Sequence, residues 1–226
     1  MYDKTKQFRL QISDFLDKLD FVDWYRYFFI IKEVHRIKPN RVLEVGEGGG
    51  IIRRVTQEYT DQYDTLDVNT NLSPTYISDV RKKIEGISEL YDCIIAADIL
   101  EHIPFEDLVT ALRNLGSYVK PGGTILITIP HRASYFLFMS PTNVPHVFRI
   151  PTGFLSPGAF YRRFIKRKIW IDPDHQWEIG DGIHSIADVE RVIRETGLSI
   201  EARKTLFYVD FWILNGPPRH GKVENI

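Results

Sequence analysis

The chain has 226 residues, 43% of them hydrophobic and 26% charged, enough apolar content to build a core, which excludes a disordered chain. That length suits one α/β domain with an elaboration and not two catalytic domains. Its formal net charge of −1 excludes coating of nucleic acid through bulk charge, and the single Cys93 excludes a disulfide scaffold and predicts a cytoplasmic location.

Residues 5–37 carry apolar residues three and four apart: Phe8, Ile12, Phe15, Leu16 and Leu19, then Trp24, Phe28, Ile31 and Val34. The spacing predicts two amphipathic helices, a cover over residues 1–38 that ends before Pro39. The first twenty residues alternate charges with apolar residues at helical spacing and do not show a basic-then-apolar leader pattern, so export is not expected. The most apolar stretches, 27–31 and 135–139, fall far short of the roughly 20 residues that span a bilayer.

RVLEV then runs into GEGGG, and IIRRVTQEY resumes helical spacing, so the unit is strand, glycine turn, helix. YDTLDV, TYISDV, YDCIIAA and GTILITIP follow as strands two to five. The helix FEDLVTALRNLGSYV links the last two and stops at KPGG. Near-continuous apolar runs suit strands covered on both faces. The helix IADVERVIRETG and the strands LSIEARKTL and FYVDFWILNG complete a doubly wound, mostly parallel, seven-stranded α/β sheet. Residues 39–130 then form the ligand-binding core, 131–184 a lid or substrate insertion, 185–215 the closing elements and 216–226 a tail.

Glu44, Gly46, Gly48 and Gly50 mark the end of the first strand. Glycines there let backbone approach a ligand, with the free N–H groups of a helix start beyond them. Asp67 closes the second strand about twenty residues later, where a carboxylate reaches a ribose diol. A nucleoside is therefore expected. A dinucleotide fingerprint would place glycine at position 51, which is Ile51, so a nicotinamide oxidoreductase is disfavoured.

In their order and spacing, VLEVGEGGG, TLDV, ISDV, YDCIIAADILEHI and LRNLGSYVKPGGTILITIP resemble the class I S-adenosylmethionine-dependent methyltransferases, and the methyltransferase type 11 group in particular. The resemblance implies a Rossmann-like fold and S-adenosylmethionine as cofactor. It places Glu44, Gly46 and Gly48, with Gly50 in the same turn, around the methionine part, and Asp67 on the ribose. Asp79 and Val80 would meet the adenine, and Ala97 and Asp98 the reactive end. Asp79 as a cap for the following turn, and Asp67 as a turn former, are the alternatives.

Methyl transfer asks the protein chiefly for orientation and water exclusion, and for a base if the acceptor is a hydroxyl. His102, beyond the fourth strand, and His131, beyond the fifth, are the candidate catalytic residues; a structural hydrogen bond is the alternative for His102. DPDHQWEIGDGIH holds Asp172, Asp174, His175, Glu178, Asp181 and His184 in a spacing that matches no standard zinc or calcium pattern, which reads as a polar lid loop. HQWEIG is similar to a subset of these enzymes associated with surface polysaccharide. Asp98, Glu101 and His102 depart from the Glu-x-x-Glu-His pattern with which some members hold a metal, because the first acid is Asp. No metal is expected.

Residues 159–170 place Phe160, Tyr161, Phe164, Ile165 and Ile169 opposite Arg162, Arg163, Lys166 and Arg167. This basic amphipathic segment predicts peripheral contact with an anionic membrane, or else a packed helix with a solvated face. AADI at the end of the fourth strand lacks the Asn/Asp-Pro-Pro-Tyr of amino-directed DNA enzymes, so nucleic acid is not the expected acceptor. The sequence therefore predicts methyl transfer to a small-molecule, glycan or lipid-linked acceptor, at oxygen. The alternative is a non-catalytic nucleoside-binding module.

Overall fold

The computed structural model describes residues 9–17, 19, 21–87, 90–131, 133–139, 145–151, 157, 161, 165, 171–206 and 209–217. Short amphipathic α1 (Ile12–Leu16) and long α2 (Phe21–Ile37) lead into β1 (Arg41–Val45), and α3 (Ile51–Thr56) follows the glycine turn. Strands β2 (Gln62–Asp67), β3 (Tyr76–Ile77), β4 (Tyr91–Ala97) and β5 (Val119–Pro130) come next, with α4 (Leu108–Tyr118) between the last two. After β6 (Ala133–Met139) and β7 (Pro145–Pro151), the chain closes with α5 (Ile186–Glu195), β8 (Ser199–Leu206) and β9 (Val209–Asn215).

The main sheet has seven strands in the order β3-β2-β1-β4-β5-β9-β8. β1 to β5 pair in parallel, while β9 runs antiparallel to β5 and β8 antiparallel to β9. This is the expected mostly parallel, doubly wound sheet. The order reverses at β1, which lies between β2 and β4, and open α/β sheets bind ligands outside the carboxyl ends of their strands at such a point.

Alternation along the strands builds two cores. Leu43, Val45, Ile94, Ala96, Ile125 and Ile127 face one side with Leu108, Leu112 and Leu115 of α4 and Val189 and Ile193 of α5. Val42, Cys93, Ile95, Leu126 and Phe211 face the other with Ile30 and Val34 of α2 and Ile52 of α3. Each aliphatic side chain so buried stabilises the fold by roughly 1.5–3 kcal/mol relative to exposure. Burial pushes the Cys93 thiol up to about 12, so Cys93 is a core residue and not a nucleophile. Helix α5 opens on a capping box in which Ser185 and Asp188 satisfy each other's backbone N–H groups, and Gly197 follows its end at φ 82°, the left-handed conformation that helix ends favour.

Within the segment expected as a lid, β6 and β7 pair antiparallel as a separate two-stranded sheet, a hairpin the sequence reading did not include. Of the basic segment 159–170, only Tyr161 and Ile165 belong to the described residues, and both are exposed; its four opposed cations lie outside them, as do residues 218–226 of the tail. Among the described residues no helix is long and apolar enough to cross a membrane.

Candidate functional site

A cavity of about 270 Å³ opens at the carboxyl ends of β1, β2 and β4. Glu44, Gly46, Gly48, Asp67, Asp79, Val80, Ala97, Asp98 and His102 all line it. Gly50 and His131 are not among its lining residues. Phe15 of α1 and Arg26 and Tyr27 of α2 add a wall from the N-terminal cover.

The turn after β1 depends on its glycines. Gly46 has φ 70°, and a Cβ there would stand 1.9 Å from Cδ1 of Ile99. Gly48 has φ 51°, and its missing Cβ leaves room for the ring of Phe15, whose Cδ1 would lie 3.3 Å away. Alanine at Gly46 is thus excluded by both backbone and space. Gly50, at φ 65°, caps the start of α3 and donates its N–H to the Glu47 carbonyl at 2.8 Å; its work is to shape the turn.

Glu44 is fully enclosed, and burial pushes its carboxyl up to about 8 against the opposing hydrogen bond from the Tyr63 hydroxyl at 2.8 Å. A carboxyl raised this way by burial favours a ligand that brings positive charge. Burial likewise raises Asp67 and Glu47, the second opposed by Arg53. Asp67 accepts from the Asn69 backbone N–H through Oδ1 at 2.7 Å.

Asp79 and Asp98 are bound within the protein. The Asp79 carboxylate accepts from the Arg81 guanidinium at 2.6 to 3.1 Å and from the Arg81 backbone N–H at 2.9 Å. Those bonds hold it below the usual carboxylate range. It therefore caps the local turn while bordering the cavity. Asp98 is ion-paired with Arg26 and accepts from the Thr128 hydroxyl at 2.6 Å. Its backbone is left-handed, φ 49°, a conformation costing roughly 1–2 kcal/mol in a non-glycine residue; the Asp98 N–H donating to Thr128 Oγ1 at 3.0 Å helps to hold it.

His102 lies in the turn Leu100–His102. Its Nδ1 is 3.0 Å from the Asp174 carbonyl, which can only accept, so Nδ1 carries the hydrogen and Nε2 the lone pair. Burial holds its pKa below the ordinary value and keeps the ring neutral. His131 sits elsewhere, buried at the end of β5 with Nε2 3.8 Å from the fully buried Asp210.

The acidic loop after residue 170 is organised by its own side chains. Asp172 accepts from the Asp174 N–H and Asp181 from the N–H groups of Ile183 and His184, all within 2.9 Å. Trp177 is buried, donates its indole N–H to the Ile103 carbonyl at 3.1 Å and packs edge-on against Phe105. That anchoring brings His175 to His102, ring centroids 5.0 Å apart. Glu101 lies beneath them with no exposure, its carboxyl pushed up to about 8 by burial.

Sequence reading missed Phe15, Arg26, Tyr27 and Asn69 as cavity residues and His175 as a neighbour of His102. Asn69 had a weak signal, two residues past Asp67. Phe15, Arg26 and Tyr27 had none, because their partners are distant in the chain; His175 stood out as a lid-loop residue, but nothing along the chain pointed to His102 as its neighbour.

Residues 22–200 match the family described as a methyltransferase domain. Among curated proteins, the chain is 27% identical over 125 residues to a ubiquinone biosynthesis O-methyltransferase of Vibrio cholerae, covering 49% of this chain and 50% of that one. A protein of the same name from Xanthomonas campestris is 25% identical over 141 residues, 56% of each. The chain thus spans about half the length of the curated relatives it matches. Among solved structures, the N-methyltransferase NodS of Bradyrhizobium japonicum, in complex with S-adenosyl-L-homocysteine, superposes with TM-score 0.58 at 13% identity, over 95% of this chain and 96% of that one. An S-adenosylmethionine-dependent methyltransferase of Clostridium acetobutylicum gives TM-score 0.58 at 11% identity, over 89% and 94%. At such identities these structures share the fold.

Proposed function

The chain belongs to the methyltransferase-domain family, and from that premise we propose that it is an enzyme using S-adenosylmethionine to methylate an oxygen of a small-molecule, glycan or lipid-linked acceptor. The observation that carries this reading is the cavity at the sheet's switch point, walled together by Glu44, the Gly46 and Gly48 turn, Asp67, Val80 and Ala97. Its donor set fits the cofactor. Glu44 supplies an enclosed carboxyl for an ammonium group, Asp67 a half-buried acceptor for a ribose diol, and Val80 an apolar surface for adenine.

The cofactor supplies an activated methyl group on a sulfonium. Around it, Gly46 and Gly48 let the backbone come close, and Ala97 leaves space at the end of β4. Asp98, held by Arg26 and Thr128, would border the cofactor's reactive end beside Ala97. Of the two candidate histidines only His102 borders the cavity, which supports assigning it to the acceptor's proton. The names of the curated relatives support oxygen as the methylated atom.

Titration calorimetry with S-adenosylhomocysteine and with NADH tests the cofactor; binding of NADH alone would overturn the reading. Labelled methyl transfer into fractionated cell extract tests the reaction. Label in lipid, glycan or small metabolites identifies the acceptor class, whereas binding without transfer to any fraction would leave a nucleoside-binding module.

A further inference from the structure

The fold brings together three side chains, of which only His102 lines the cofactor cavity. Glu101 and His102 come from the turn after β4, and His175 from a loop more than seventy residues later. One ligand atom from each lies within 4.8 Å of the other two, and His175 Nε2 is 3.8 Å from Glu101 Oε1.

Two independent features prepare this cluster. Glu101 has zero exposure, and among the described residues neither of its carboxylate oxygens has a hydrogen-bond partner. Buried carboxylate oxygens are ordinarily satisfied, so a pair left open points to a ligand that would satisfy them. In addition, both imidazoles are oriented by partners on Nδ1. His102 Nδ1 donates to the Asp174 carbonyl at 3.0 Å, and His175 Nδ1 lies 2.9 Å from Glu178 Oε1, itself fixed by the Asp172 N–H at 2.9 Å. Orienting one ring nitrogen through a carbonyl or carboxylate leaves the other with its lone pair free, the arrangement found behind metal-bound histidines.

We propose that Glu101, His102 and His175 bind a divalent transition-metal ion at the acceptor end of the cavity. Two imidazoles with one carboxylate suit zinc, manganese, iron or cobalt, and not calcium or magnesium, which prefer oxygen ligands throughout. Asp98 is not part of the set, since Arg26 and Thr128 hold its carboxylate. The expectation of no metal rested on spacing along the chain, and His175 is the ligand that spacing could not supply.

The role of the ion rests on the methyl-transfer reading above. His102 belongs to both the cavity wall and the triad, so the ion adjoins the place where the acceptor reacts. An acceptor hydroxyl bound to it loses its proton to water more readily. That oxygen then forms the new O–C bond as the C–S bond breaks, and the bonding pair returns to sulfur as a neutral thioether. His102 thereby governs the proton as a ligand and not as the base.

The test is titration of the full-length, chelator-treated protein with Co²⁺, followed by visible absorption and calorimetry, and then with Zn²⁺ and Mn²⁺. One ion per chain is expected, with a cobalt spectrum showing nitrogen and oxygen ligands. Glu101→Gln and His175→Ala should each weaken binding at least about tenfold, the loss that removal of even an outer partner brings. Neither residue lines the cofactor cavity, so S-adenosylhomocysteine binding should persist in both and report that they fold. Absence of binding in the wild type, or equal binding in wild type and His175→Ala, would overturn the metal site. Metal binding without S-adenosylhomocysteine binding would instead overturn the cofactor reading and leave the metal site standing.

Discussion

Trp177 donates its indole N–H to the backbone carbonyl of Ile103 across 3.1 Å of space and 74 positions of sequence. The bond fastens the loop after residue 170 beneath the turn that follows β4. With Trp177 only 1% exposed and Phe105 edge-on at 4.9 Å, the loop is a packed wall of the site and not a free flap. His175, two residues before Trp177, takes its place beside His102 because of that anchor.

Trp177→Phe should keep most of the packing and lose the hydrogen bond. A destabilisation of about 1–2 kcal/mol is expected, with about 3–5 kcal/mol for Trp177→Ala, where a cavity is left as well. Urea unfolding measures both. Equal midpoints for wild type and Trp177→Ala would show that the loop is not anchored there.

Asp67→Ala should weaken S-adenosylhomocysteine binding by about 1–3 kcal/mol through the loss of charge-assisted hydrogen bonds to the ribose. Asp79→Ala should cost less, because its carboxylate is already engaged by Arg81. Calorimetry on the two variants ranks them, and a larger loss for Asp79 would place the nucleoside differently in the cavity.

Glu44 couples stability to pH. Its carboxyl rises from an ordinary value of 4.5 to about 8 in the fold, so between those limits the folded state holds a proton that the unfolded chain has released. Stability therefore falls as pH rises from about 4.5 to about 8, the reverse of a salt-bridged carboxylate. Glu44→Gln, neutral throughout, should make this part of the profile of Tm against pH shallower, leaving the slope that Glu101, raised to about 8 by burial in the same way, contributes over the same range. A parallel profile in the variant would assign the slope to other groups.

Arg26 and Asp98 tie the N-terminal cover to the carboxyl end of β4, with side chains 12% and 16% exposed. Removing either leaves a partly desolvated charge, so Arg26→Ala and Asp98→Ala should each lose about 1–3 kcal/mol of stability, with strong non-additivity in the double variant. A double-mutant cycle in denaturant measures the coupling. Additive losses would show that the two charges act independently.

The cations at 162, 163 and 166–168 of the basic segment should attach the protein to anionic vesicles at low salt, each contributing about 1 kcal/mol near the surface. Sedimentation with vesicles of anionic and of neutral lipid checks this. Binding that survives replacement of all five by Gln, or no binding at all, would point to a soluble acceptor.

The strands of the main sheet and the glycine turn were legible in the sequence because their signals are local, whereas the spatial order of the strands came only from the structure. Continuous apolar runs specify strands buried on both faces, and glycines at 46 and 48 answer to positive φ angles that any neighbouring sequence would require. Asp67 was legible for the same reason, lying a fixed stretch of strand, turn and helix beyond Gly46. The β6 and β7 hairpin escaped because its strands lack a tight-turn signature between them. For Asp79, the sequence held a ligand role and a capping role in balance; the Arg81 guanidinium, two residues away, occupies its carboxylate.

What the sequence by itself determined was therefore the strands of the sheet, the glycine turn and the acids beside it. Only the tertiary structure decided that Phe15, Arg26 and Tyr27 wall the cavity, that His131 turns to Asp210 while His102 borders the site, and that His175 joins Glu101 and His102. Helical and strand periodicities record which face of an element is buried, but not which residue of a distant element meets it. That choice is made by the packing of all the layers at once, and it leaves no mark on the spacing of residues along the chain.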